Sequence, residues 1–250
     1  MMLKKLLASM VLGYGVLYAG TINIAVAANV SYAMDELKAE FAKTNPDTNV
    51  RVTLGSSGKL TAQIKNGAHY NLFMAANMKY PQALYDDKIA VTKPVIYAQG
   101  ALAYLSIHKR DFSKGIALLA EDTIGKIAIA NPQTAPYGKA ALEAMKKAKI
   151  YESVEPKFVY AESISQTVSY AVTAADIGLI AKSSLYSDTM KHYEEGIHWA
   201  SVDPTLYTPI NQGIVILKNG ANNPEVKAFY DFILSQKAKE ILVAYGYIVE

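Results

Sequence analysis

Residues Asn49 to Gly67 read NVRVTLGSSGKLTAQIKNG. Asn49–Leu54 alternates apolar and polar positions with the period of two that a strand requires. Gly55-Ser56-Ser57-Gly58 is then a run of small, turn-forming residues. Lys59–Asn66 sets Leu60 and Ile64 at helical spacing, and Gly67 follows where a helix-ending glycine belongs. Strand, small-residue turn and helix together are the repeating unit of an α/β sheet.

The unit recurs on both sides of this stretch. Thr21–Ala28 is a short apolar strand, and Tyr32–Lys43 carries Ala33, Leu37 and Phe41 at helical spacing. Leu72–Ala75, Ile127–Ala130, Phe158–Tyr160 and Ile177–Ala181 read as strands, and Tyr137–Ala148 and Ile164–Thr173 as helices. Val95–Ile107 is an unusually long strand, Ile210–Leu217 is another, and Pro224–Gly246 is a long helical region. The alternation predicts an α/β protein of two lobes, each a mainly parallel sheet with flanking helices. The segments around 95–107 and 209–217 are the candidates for two hinge strands between them. That divides the chain into a first lobe of 21–99 plus 210–250 and a second of 100–209.

A chain of 250 residues, 51% hydrophobic and 19% charged, has ample material for such cores. Its first twenty residues, MMLKKLLASMVLGYGVLYAG, read as an export signal. Lys4 and Lys5 form the positive head, Leu6–Leu17 is an apolar run short for a membrane span, and Ala19-Gly20 is a place to cut. A periplasmic location follows. Losing the two lysines takes the formal charge from +3 to +1, and a nearly neutral chain argues against nucleic acid as a partner.

Catalytic motifs are missing. The four histidines stand apart, with no metal-ligand spacing. Thr53 and Leu60 occupy the places where a phosphate-binding P-loop needs Gly and Ser/Thr. Ser56 to Lys59 spells S-x-x-K, but its partner motifs are absent. There is no cysteine to act as nucleophile or thiolate ligand. Neither an enzyme nor a resident cofactor or metal is expected. Arginine, whose planar fork suits carboxylates, is represented only by Arg51 and Arg110.

What remains is a set of four strand-to-helix junctions. They are Ala27-Ala28-Asn29-Val30-Ser31, Gly55-Ser56-Ser57-Gly58, Asn131 through Pro136-Tyr137-Gly138, and Glu162-Ser163-Ile164-Ser165. Each opens a helix whose first N–H groups have no partner inside it, and such ends hold anions without a formal positive charge. For any single junction, ordinary capping explains the residues. Two junctions in each lobe point to a shared anion site.

The segments IAVAANVSYAMDELKAEF, GSSGKLTAQIKNGAHYNLFMAAN, IAIANPQTAPYGKAALEAM and VKAFYDFILSQKAKEILVAYGY resemble the periplasmic molybdate-binding proteins of ABC importers, along nearly the whole mature length. The resemblance implies a periplasmic-binding-protein type II fold that closes on molybdate or tungstate. It implies a monomer that delivers the oxyanion to a membrane permease. It places Ser57 on the family's hydroxyl and backbone donor and Asn29, beside Ala28, on the first loop. Tyr137 falls on a backbone donor in the P-x-G motif, and Ile164 or Ser163 on the fourth. The chain departs from the pattern at Ala181, where many members have a donating tyrosine.

Molybdate and tungstate are fully deprotonated at neutral pH and want donors only, whereas phosphate keeps a proton that needs an acceptor. No aspartate stands in the four junctions, and Glu162, which borders one, can face solvent, as can Lys59. Sulfate, or ferric iron held by some of the 18 tyrosines, is the rival cargo.

Overall fold

A computed structural model describes residues 20–249. The expected export signal lies outside the described residues, except for Gly20, which opens the first strand.

The alternation read from the sequence forms two five-stranded sheets. The first contains β1 (Gly20–Ala27), β2 (Thr48–Gly55), β3 (Leu72–Ala75), β4 (Val95–Gly100) and β10 (Ile210–Ile216) in the order β2-β1-β3-β10-β4. The second contains β5 (Leu102–Leu105), β6 (Ile127–Ala130), β7 (Phe158–Ala161), β8 (Ile177–Ala181) and β9 (Trp199–Ser201) in the order β7-β6-β8-β5-β9. The helices are α1 (Ser31–Ala42), α2 (Ser57–Lys65), α3 (Lys79–Asp86), α4 (Pro136–Lys147), α5 (Tyr151–Val154), α6 (Ile164–Thr173), α7 (Pro224–Ile233) and α8 (Gln236–Ala244).

Both sheets have the same plan. Three parallel strands, joined by helical crossovers, are followed by a fourth that is antiparallel to them and a fifth that is antiparallel to the fourth. The mainly parallel reading therefore describes the β1–β3 and β6–β8 halves, and each sheet as a whole is mixed. The antiparallel strand beside β3 is β10, and the one beside β8 is β5, so chain crossing between the lobes fills the same place in each.

The long apolar run 95–107 is not one strand. It leaves the first sheet at Gly100 and enters the second at Leu102. A Cβ on Gly100 would lie 1.9 Å from the Tyr137 hydroxyl, so this crossing needs the bare backbone that glycine supplies. The C-terminal helical region is also divided, by Ser235, whose extended backbone and side-chain bond to the Ala238 N–H start α8.

Two cores result. One packs Ile24, Leu37, Phe41, Ile214, Phe229 and Leu242 around the first sheet. The other packs Leu102, Ile127, Ile129, Ala141 and Ile177 around the second. Ala27, Ala28 and Ala76, from strand ends of the first sheet, pack into the second core beside Ala135, Tyr137 and Ile164. The two lobes are closed on one another.

Candidate functional site

The register of the parallel strands puts the four junctions in two adjacent pairs. Ala27 stands beside Gly55 at the carboxyl ends of β1 and β2, and Ala130 stands beside Ala161 at the ends of β6 and β7. Carboxyl ends of parallel strands are where ligand crevices form in α/β sheets. Between the facing pairs lies a small cavity of about 10 Å³, lined by Ala27, Ala28, Asn29, Gly55, Ser56, Ser57, Ala76, Ala135, Pro136, Tyr137 and Ile164. None of these residues carries a charge.

Three helices start at this cavity. Ser57 and Ile164 are the first residues of α2 and α6, and Tyr137 is the second of α4, after Pro136. Proline has no N–H to offer, so Tyr137 supplies the first free donor of its helix. The N–H groups of such positions have no intrahelical acceptor, and the helix dipole favours negative charge there.

Ser57 is wholly buried, and its hydroxyl oxygen accepts the Ala76 N–H at 2.9 Å. That bond fixes the oxygen and leaves the hydroxyl proton to be given elsewhere. Ser56 occupies the N-cap of α2 yet makes no capping bond, and its buried Oγ has no partner. Ser163 behaves in the opposite way. It caps α6 by accepting the Gln166 N–H at 3.3 Å, and it is not among the lining residues, whereas Ile164 is.

Asn29 is buried at the cavity but turns its amide inward. Its Nδ2 donates to Gln212 Oε1 at 2.8 Å and to the Tyr247 hydroxyl at 2.9 Å, and its Oδ1 has no partner. The Asn29 carbonyl accepts from Tyr247 at 2.8 Å and from Ser183 of the second lobe at 3.0 Å. Gln212 also accepts from Tyr97 at 2.8 Å and donates to Tyr137 at 3.2 Å. Burial pushes the Tyr97 and Tyr137 phenols well above their ordinary value and Tyr247 up to about 12. All three are neutral at physiological pH.

The cleft mouth carries further polar ties between the lobes. The Gly58 N–H donates to the Thr134 carbonyl at 2.8 Å, and the Tyr80 hydroxyl donates to the Gln133 carbonyl at 3.3 Å. Lys59 and Glu162, both expected to face solvent, form an exposed ion pair with each other across the mouth. Arg51 is exposed on β2 and Arg110 bonds Ser106, so neither lines the cavity. Among the described residues no group of three or more His, Asp or Glu side chains is placed to hold a metal ion.

Ser57, Tyr137, Ile164, Asn29 and Ala28 are thus brought together at one cavity. Ser56, Gln212, Tyr97 and Tyr247 are polar residues of this region that sequence reasoning missed. Ser56 reads as a routine N-cap, but β10 carried a usable signal: Asn211 and Gln212 stand side by side in the otherwise apolar strand INQGIVI, and alternation turns them to opposite faces, of which that of Gln212 is buried.

The sequence profile of the bacterial extracellular solute-binding proteins matches residues 22–248. The molybdate-binding protein ModA of Rhodobacter capsulatus is 37% identical over 93% of this chain and 90% of its own length. The structure of the periplasmic molybdate-binding protein of Azotobacter vinelandii superposes with a TM-score of 0.84 at 30% identity, covering 92% of this chain and 99% of that one. The sulfate-binding protein of Mycobacterium tuberculosis shares the fold, with a TM-score of 0.76 at 11% identity over 91% of this chain and 86% of that one.

Proposed function

This chain belongs to the bacterial extracellular solute-binding proteins, and from that membership we propose that it captures molybdate or tungstate between its lobes. In this reading it is a periplasmic receptor, cut near Ala19-Gly20, that passes the oxyanion to the membrane permease of an ABC importer. It works as a monomer, binds rather than turns over its ligand, and needs neither a cofactor nor nucleic acid. The first lobe is 21–99 with 210–250 and the second is 100–209.

The observation that carries the reading is an uncharged cavity at which three helices begin. A dianion has no proton to give, so it is matched by donors alone, and helix N-termini supply donors with favourable polarity. The N–H groups of Ser57, Tyr137 and Ile164, the Ser57 hydroxyl, and the loop at Ala28-Asn29 are the groups we assign to it. In a water-poor cavity such neutral donors hold charge more strongly than they would in solvent. The high identity to molybdate-binding relatives, along almost the whole chain, supports the same cargo.

Calorimetry at neutral pH tests this. Molybdate and tungstate should bind more tightly than sulfate, with phosphate weakest. Phosphate binding as tight as molybdate would sink the donor-only site, and tighter binding of sulfate would move the cargo.

A further inference from the structure

Gln212 lies on β10, the strand by which the chain returns to the first lobe, and is wholly buried. The ladder to β4 slips at this point. Gln212 pairs with Ala98 and Gly213 with Ile96, which leaves Tyr97 without a partner residue. A bulge re-aims side chains, and here it brings the Tyr97 hydroxyl to Gln212 Oε1. The same oxygen accepts from Asn29, and Nε2 donates to Tyr137. One amide therefore ties a first-lobe cavity residue to a second-lobe one.

In this arrangement both amide hydrogens of Asn29 are spent within the protein, and the buried atom left over is an acceptor, Oδ1. That is the wrong polarity beside a dianion. Half a turn of both terminal amides corrects it. Gln212 Nε2 then donates to Asn29 Oδ1 and to the Tyr97 hydroxyl, while Gln212 Oε1 accepts from Tyr137. The single proton of Tyr247 turns from the Asn29 carbonyl to Oδ1, and that carbonyl keeps Ser183 as its donor. The links among Asn29, Gln212, Tyr97 and Tyr137 survive, the Tyr97 proton gives up Gln212 Oε1 as its acceptor, and the unpartnered acceptor of Asn29 is exchanged for an N–H.

We propose that Gln212 sets the polarity of the oxyanion site, its amide and that of Asn29 reversing together when the dianion enters, so that Asn29 Nδ2 donates to the ligand. Gln212 touches no ligand and is a positioning residue. The proposal rests on the oxyanion reading. It gives the site a side-chain donor in a chain whose β8 ends in Ala181 rather than in tyrosine.

Gln212→Glu tests it. An ionised carboxylate only accepts, so it would hold Asn29 with Nδ2 turned away from the cavity. The groups that meet position 212 are Asn29, Tyr97 on β4, Tyr137 on α4 and Tyr247 in the C-terminal segment. None is charged, and burial keeps the three phenols protonated. Only the introduced carboxyl then titrates near neutrality, raised by burial, and its protonated form regains an O–H to donate.

Sodium molybdate is titrated calorimetrically into the mature protein from about pH 6 to about pH 8.5. The unchanged protein should show a flat affinity. The variant should be about 10- to 100-fold weaker at the alkaline end, with the gap narrowing as pH falls. Equal affinities, or a pH-independent gap, would overturn the proposal alone. If the variant does not fold, the side-chain amide resonances of Asn29 and Gln212 in the unchanged protein decide. Both pairs should shift on adding molybdate, and an unmoved Gln212 pair refutes the concerted reversal. Failure of the unchanged protein to bind molybdate would overturn the oxyanion reading and this proposal with it.

Discussion

The backbone N–H of Gly58 donates to the carbonyl of Thr134 across the cleft at 2.8 Å. Gly58 is the second residue of α2, so this donor is one that the helix itself cannot satisfy. One N–H of the α2 start is therefore spent on the opposite lobe, while that of Ser57 remains for the cavity. The bond exists only when the lobes are together, which makes closure and completion of the site one event.

Contact this close requires glycine. A Cβ at position 58 would sit 2.9 Å from Thr134 Cα and 3.0 Å from its carbonyl oxygen. Gly58→Ala should therefore oppose closure, while the open protein gains from a better helix former, by roughly 0.5–1 kcal/mol. The expected result is a slightly higher melting temperature without ligand and about tenfold weaker molybdate binding, mostly through faster dissociation. Loss of unliganded stability with unchanged affinity would show that the lobes do not meet at this point in solution.

The tyrosines around Gln212 predict alkaline behaviour with a definite sign. The Tyr247 phenol is raised from 10.0 to about 12 by burial, and Tyr97 and Tyr137 are likewise raised well above their ordinary value for the same reason. A folded value above the unfolded one means the unfolded chain loses its protons first as pH rises. Stability from these groups is complete below about pH 10 and declines above it, by up to about 1.4 kcal/mol per pH unit for each phenol. Denaturant melts between pH 9 and pH 12 measure this, and Tyr247→Phe should make the decline shallower by about one such slope. A stability that stays level across that range would contradict the buried, protonated cluster.

Much of the architecture was legible because each element carries its own period. The helix Ile164–Thr173 is found with the bounds its sequence suggests, since Ser163 caps its start and apolar residues repeat along one face. The junction loops were legible for the same local reason. What escaped depends on residues distant in sequence. The run 95–107 keeps a strand pattern through Gly100, and only the approach of Tyr137 shows why the chain must leave the sheet there. Lys59 looks like any solvated helix residue until the lobes close and bring Glu162 to it from 103 positions away. The inward amide of Asn29 is set by Gln212, 183 positions away, and by Tyr247, 218 positions away.

The two serines at the start of α2 and the lysine beside them separate polar coordination from charge attraction. Ser57→Ala removes a donor to the ligand but also strands the buried Ala76 N–H, which Ser57 Oγ now accepts. It should lose about 1–3 kcal/mol of stability as well as affinity, so by itself it does not isolate coordination. Ser56→Ala is cleaner, because Ser56 Oγ has no partner to abandon and does not cap its helix. If that hydroxyl turns to the bound dianion, the variant should keep its unliganded stability and bind molybdate about 10- to 100-fold more weakly, as expected for a hydrogen bond to charge. Lys59 faces Glu162 at the mouth, and both are about half exposed, with side-chain accessibilities of 52% and 60%. An exposed pair contributes little, so Lys59→Met should raise the dissociation rate less than about fivefold. It should also make association less sensitive to salt, as loss of a steering charge does. Stopped-flow binding of the three variants at low and moderate salt ranks them. If Lys59→Met loses more affinity than Ser56→Ala and Ser57→Ala, the site holds its anion by a cation at the mouth, and the neutral-donor mechanism is wrong.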